Sequence, residues 1–251
     1  GGQVFINAGT ISTTGAVSFG EAVGLPSATT ITTTNSNVSF GGVVTSATAS
    51  DLTVDAGSGN VSLASTIGTS LAKLGAVVVN SQGDTSFDGA IHAASLTTDA
   101  GGRVLLDVGT VTTAGAVSFG EAVELVTDTT ITTANASVRF ESTVDSHGPA
   151  RALNINAGTG SITLVGAAGS ASELASLHVE AAALSFASIR VDGDATITVT
   201  GSQLLGDLDV GGDLAVTTGA GGVSQYNGSV LLVAGNAVFT ADTATNQDAA
   251  L

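Results

Sequence analysis

The sequence contains an imperfect copy of itself, displaced by one hundred residues. Residues 1–46 and 101–146 are identical at 26 of 46 positions. Gly15-Ala16-Val17-Ser18-Phe19-Gly20-Glu21-Ala22-Val23 returns as Gly115-Ala116-Val117-Ser118-Phe119-Gly120-Glu121-Ala122-Val123, and Thr29-Thr30-Ile31-Thr32-Thr33 returns as Thr129-Thr130-Ile131-Thr132-Thr133. After Pro149 the offset grows to 101, so Leu52-Thr53-Val54-Asp55-Ala56-Gly57 corresponds to Leu153-Asn154-Ile155-Asn156-Ala157-Gly158, and the likeness fades beyond residue 165. Such a chain folds either as a string of like domains or as stacked units sharing one core.

The differences between the copies show which side of the chain is wet. Val38 and Phe40 persist as Val138 and Phe140, while Ser39 becomes Arg139 and Gly41 becomes Glu141. Successive side chains of a strand point to opposite faces, so 38 and 40 are expected inward and 39 and 41 outward. Gly24 to Glu124 and Ala28 to Asp128 are further gains of charge that only a solvent-facing position accepts cheaply. Val, Ile and Thr suit a pleated surface, and 34 Gly punctuate the chain against two Pro.

A shorter period lies inside the hundred. Segments of the form apolar-x-apolar begin near Leu52, Val77, Leu96, Ile131, Leu153, Leu177, Ala195, Leu214 and Val230. Apart from the gap between Leu96 and Ile131, where Val117 supplies an extra unit, they lie 16 to 25 residues apart. That is the length of one solenoid coil, and about 11 coils at ~4.8 Å each predict a rod ~50 Å long. The expected fold is all-β, a parallel β-solenoid with coils of about 20 residues. It forms one elongated segment, 1–251, with a duplication (1–100 and 101–200) and a diverged third part, 201–251. An array of immunoglobulin-like sandwiches also repeats near one hundred residues, but it leaves the shorter period unexplained. Thr69 to Leu74 and Ser170 to Leu177 read as short helical insertions at comparable places in the two copies.

Charge and composition exclude several functions. Five Lys and Arg stand against 21 Asp and Glu, for a net charge of −16. The basic residues are scattered, so neither nucleic acid nor an anionic membrane surface is an expected partner. There is no Cys, hence no disulfide scaffold or thiolate metal site, and no apolar run long enough for a membrane-spanning helix. The chain starts and stops within its pattern, as a segment of something longer is expected to do.

The texture of three stretches carries a resemblance: Asp51-Leu52-Thr53-Val54-Asp55-Ala56-Gly57-Ser58-Gly59-Asn60-Val61-Ser62-Leu63, Ala94-Ser95-Leu96-Thr97-Thr98-Asp99-Ala100-Gly101-Gly102, and Thr113-Ala114-Gly115-Ala116-Val117-Ser118-Phe119. In them the chain resembles the filamentous-haemagglutinin-like β-strand-repeat exoproteins of bacteria. The resemblance implies a right-handed parallel β-helix within a very large secreted or surface-attached protein used in adhesion. A glycan or protein of the cell surface or matrix is the kind of partner implied. It carries no catalytic motif, and no functional residue transfers with it.

Searching the residues for chemistry yields little. Parallel β-helices also host polysaccharide-active enzymes, whose sites need carboxylates converging on one face. The densest acidic stretch is Asp192-Gly193-Asp194 followed by Asp207, Asp209 and Asp213. Asp207, Asp209 and Asp213 are the candidate calcium ligands, since oxygen-rich turns suit that ion, although Asp and Gly are favoured in solvated turns anyway. No other cofactor is expected. His92, His147 and His178 are far apart in sequence, and no nucleophile elbow or phosphate loop is present. Asn60, Asn135 and Asn227 begin N-x-S sequons, which arise by chance in so Ser-rich a chain. Thr-x-Thr pairs raise the idea of an ice-like water array, but in sequence the Thr runs recur only once per hundred residues. The expected function is therefore a non-enzymatic stalk or adhesin segment. A self-assembling filament or surface-layer subunit is the alternative, because terminal coils present strand edges that can pair end to end.

Overall fold

Strands that alternate at period two have one face to bury, and here they bury it against one another by winding. The computed structural model describes residues 2–241, and their regular structure is entirely strand. Every registered pairing is parallel, and successive partners lie about 21 residues apart, giving a β-solenoid of about 11 turns. Each coil contributes to three ladders. The first begins at Thr10–Thr13, Thr29–Thr33 and Leu52–Gly57, the second at Val17–Phe19, Val38–Phe40 and Val61–Leu63, and the third at Gln3–Phe5, Ala22–Gly24 and Val44–Thr45.

The interior is organised as columns of like residues. In the third ladder Val4, Val23, Val44, Ile67, Ile91, Val111, Ile131, Ile155, Val179, Ile197, Val216 and Phe239 stack in unbroken register. Those from Val23 to Val216 are buried. In the second ladder the column runs Val17, Val38, Val61, Thr85, Val104, Val123, Val144, Ala168, Ile189, Leu208, Leu231. Burying a Val, Leu or Ile side chain stabilises by roughly 1.5–3 kcal/mol, and a single coil, buried on neither end, collects little of it. The inward reading of Val38, Phe40, Val138 and Phe140 holds, as does the outward reading of Ser39, Gly41, Arg139 and Glu141.

The hundred-residue repeat is not a whole number of coils. Val17 and Val38 lie in the second ladder, whereas their counterparts Val117 and Val138 continue the first ladder above Val77 and Leu96. Ile31 belongs to the first ladder and Ile131 to the third. The second copy is therefore turned by one face. Each copy keeps its own aromatic stack: Phe19 on Phe40 at 5.2 Å and Phe119 on Phe140 at 5.1 Å.

The two expected helical insertions are not helices. Thr69 and Ala72 exchange backbone hydrogen bonds of 3.0 and 3.2 Å in a tight loop that leaves Leu71 98% exposed. Leu74 already opens the strand Leu74–Ser81, and Leu174 opens Leu174–Ala181. Gly68 and Gly169, at φ +66° and +72°, turn the chain out of the ladder just before each loop, in the left-handed region that glycine enters without steric cost. Eight-residue strands with partners on both sides outweigh the weak local helical preference.

Thr85 interrupts the second column with a fully buried hydroxyl that has no hydrogen-bond partner. Thr85→Val replaces it with a near-isosteric apolar side chain between Val61 and Val104. It is expected to raise unfolding stability by about 1–2 kcal/mol in chemical denaturation; a neutral or lower midpoint would mean that the hydroxyl is satisfied.

Candidate functional site

Corners, not strands, are where this fold varies. Between the first and second ladders, Ala187 alone separates Ala183–Phe186 from Ser188–Val191, and Gly206 alone separates Gln203–Leu205 from Asp207–Val210. Gly206 is required there, because a Cβ would lie 2.6 Å from the Ala187 carbonyl oxygen of the coil beneath. One coil further on, five residues, Tyr226 to Val230, separate Val223–Gln225 from Leu231–Val233. The longer corner forms a turn closed by Ser229 N–H donating to the Tyr226 carbonyl at 3.0 Å, with Gly228 at φ +87°. It stands above the two tight corners and borders an open groove of about 300 Å³ lined by Ala187, Gly206, Asp207, Tyr226, Asn227 and Ser229. A second groove of about 260 Å³ continues past Asp207 along Arg190, Asp209 and Leu232.

Of the three carboxylates singled out as calcium candidates, Asp207 lines both grooves and Asp209 the second alone. Asp207 is exposed, and its Oδ1 accepts the Val230 N–H at 2.8 Å, which fixes the carboxylate at the groove wall. Asp209 lies 3.6 Å from Arg190, whose guanidinium also donates to Glu173 at 2.6 Å. Asp213 stands apart, accepting the Asn236 N–H at 2.7 Å. Among the described residues no three His, Asp or Glu side chains converge as metal ligands. What the Asp residues do share is a structural role. Asp51, Asp128, Asp194, Asp207 and Asp213 each accept a backbone N–H from the next coil, at 2.7 to 3.0 Å. Such charge-assisted bonds cap strand starts in the way a helix N-cap does.

The structure also assembles Thr-x-Thr pairs that are scattered in sequence. Thr110 and Thr112 stack on Thr130 and Thr132, these on Asn154 and Asn156, then His178 and Glu180, then Thr196 and Thr198, all on the outer side of the third ladder. Recurrence once per hundred residues was thus an underestimate, because Thr110-Val111-Thr112 lies one coil below its neighbour. The Asn154–Asn156 row and the His178–Glu180 row, the latter with its ring and carboxylate 3.4 Å apart, break the hydroxyl array into two patches. His92 heads the same outer column beside Thr112, and His147 pairs with Glu124 at 2.5 Å. Arg103 bridges Glu124 and Asp84 at 3.0 and 3.2 Å, so the Gly24-to-Glu124 change brought its own partners.

One acidic residue faces inward. Glu121, at the corner before Ala122–Leu125, is 2% exposed. One carboxylate oxygen accepts the Thr98 hydroxyl at 2.7 Å and the other has no partner. Burial without a cation pushes its pKa up to about 7, against the Thr98 hydrogen bond, which lowers it. Its counterpart Glu21 is exposed, so the same motif acquires a different environment from its place along the solenoid.

The fold defines a β-solenoid repeat protein. No family model matches the chain, and comparisons with curated proteins and with solved structures find no match.

Between the ordinary carboxyl pKa and about 7, folded Glu121 retains a proton that the unfolded chain has released. Stability is therefore fullest at low pH within this group's range and falls as pH rises through that window, levelling off above it. The change is expected to be on the order of 2–3 kcal/mol. Denaturation midpoints of wild type and Glu121→Gln between pH 5 and pH 8 check this: the variant should lose that component, and parallel profiles would refute it.

Proposed function

We propose that this chain is a stalk segment of a large secreted or surface-attached bacterial repeat protein of the filamentous-haemagglutinin-like kind. The observation that carries the reading is the unbroken column from Val4 to Phe239, flanked by parallel ladders along the same axis. A rod built this way resists bending, since every coil is hydrogen-bonded to the next and any kink must open a column. Eleven steps of ~4.8 Å set the span at ~50 Å. Its role is mechanical and non-enzymatic: it holds a binding surface away from a cell. The acidic balance suits such a surface, because like-charged strand-rich rods repel one another laterally.

A second reading, end-to-end filament assembly, is favoured by the exposed apolar residues at the two ends of the described solenoid. Val4 and Phe5 lie at one end, and Leu232, Val238 and Phe239 at the other. Open strand edges with apolar columns between them are templates for another copy.

Antibodies raised against the purified chain are expected to label intact producing cells, and negative-stain microscopy to show single rods near ~50 Å at all concentrations. Labelling only after lysis would overturn the surface reading. Rods that lengthen with concentration at constant width would establish assembly as the function.

A further inference from the structure

In a solenoid this regular, the surface follows from the repeat, so a local departure from it marks a place shaped for something else. The corner Tyr226–Val230 is the longest between these two ladders among the described residues: five residues directly above two one-residue corners, where the same corner at 34–37 and at 99–102 has four. Pro26 and Val126 stand two hundred and one hundred residues before Tyr226, which is the only tyrosine in the chain. The residue is 61% exposed at the edge of the groove instead of packed in the core.

We propose that this corner is a carbohydrate-binding subsite that seats one neutral pyranose ring. An aromatic face offers a sugar's C–H side an apolar, weakly electronegative platform. Asp207 supplies a carboxylate whose Oδ1 is anchored by Val230 N–H, leaving Oδ2 without a partner among the described residues. The Asn227 side chain, also without a partner there, can both donate and accept. Gly206 and Ala187 leave the floor smooth, so a flat ring can approach the backbone. A volume of about 300 Å³ is at the small end for ligand sites and suits one sugar unit of a longer glycan passing through an open groove. An anionic ligand would meet Asp207 and Asp209 on a chain of net charge −16, and a purely apolar one would leave Asp207 and Asn227 desolvated. This deepens the surface-protein reading and rests on it for its biological setting.

The test is saturation-transfer NMR and titration of the full chain. The probes are methyl glycosides of neutral hexoses and N-acetylhexosamines, with N-acetylneuraminic acid and spermidine as anionic and cationic probes. At least one neutral glycoside is expected to bind at millimolar concentration. Tyr226→Ala should weaken it roughly tenfold or more, Tyr226→Phe should retain it, and Asp207→Asn should weaken it. Ser39→Ala, at the other end of the rod, should change nothing. Unchanged circular dichroism and melting would show that each variant folds. Failure of every neutral glycoside, equal binding by Tyr226→Ala, or binding of spermidine or the acidic sugar alone would overturn the proposal. None of these results touches the stalk reading, which stands or falls on the cell-surface labelling.

Discussion

Main-chain hydrogen bonding between coils is the constraint on which the rest of this structure depends. A coil of about 21 residues has no partner for its backbone within itself, and unpaired buried amides and carbonyls are too costly to leave. Each coil must therefore lie in register on the next, and register forces like positions into columns. The apolar columns and the outward polar rows are both consequences of that one requirement. So is the use of Asp and Asn at corners, where a turn pulls an N–H out of the ladder and a side chain from the coil beneath accepts it instead.

The alternation of residues such as Val38-Ser39-Phe40 already dictated strands with one wet face, and the spacing of Leu52, Val77 and Leu96 dictated coils, since these three do stack. What the sequence hid was phase. A hundred residues fill four coils and two thirds of a fifth, so identical motifs appear on different faces, and no one-dimensional comparison shows which ladder a strand joins. Thr30-Ile31-Thr32 and Thr130-Ile131-Thr132 look interchangeable, yet one sits above Thr10 and Ser12 in the first ladder and the other above Thr110 and Thr112 in the third. The misread helices have a similar cause. Leu71 and Leu74 have helical spacing, but Leu74 is claimed by neighbours 19 residues away in sequence and Leu71 by none.

The candidate site was illegible for a related reason. Asp207 and Asp209 stood out as part of an acidic run, for which the sequence offered solvated turns or calcium ligands. Their surroundings depend instead on three corner lengths in three successive coils, one residue, one residue and five. Tyr226 drew no notice in the sequence because a lone tyrosine in a β protein is usually half-buried packing. Its significance comes from standing above Gly206, a relation across 20 residues that only coil register creates.

Register also explains why duplication can diversify this surface so cheaply. Because the second copy is turned by one face, its outward residues meet new neighbours even where the sequence is unchanged. Glu121 shows the effect in the interior: the motif Gly-Glu-Ala-Val recurs intact, but only the second copy lies under enough coils to strip its carboxylate of water. Glu124 shows it outside. Partial burial pushes that carboxyl up, and hydrogen bonds from His147 and Arg103 more than reverse the shift, in a cluster joining three successive coils. Inward positions are held by columns that are mostly apolar, whereas each outward position is free to respond to whichever coil the turn brings beside it. A repeat of fractional coil number thus keeps the core largely constant while presenting successive copies in different directions.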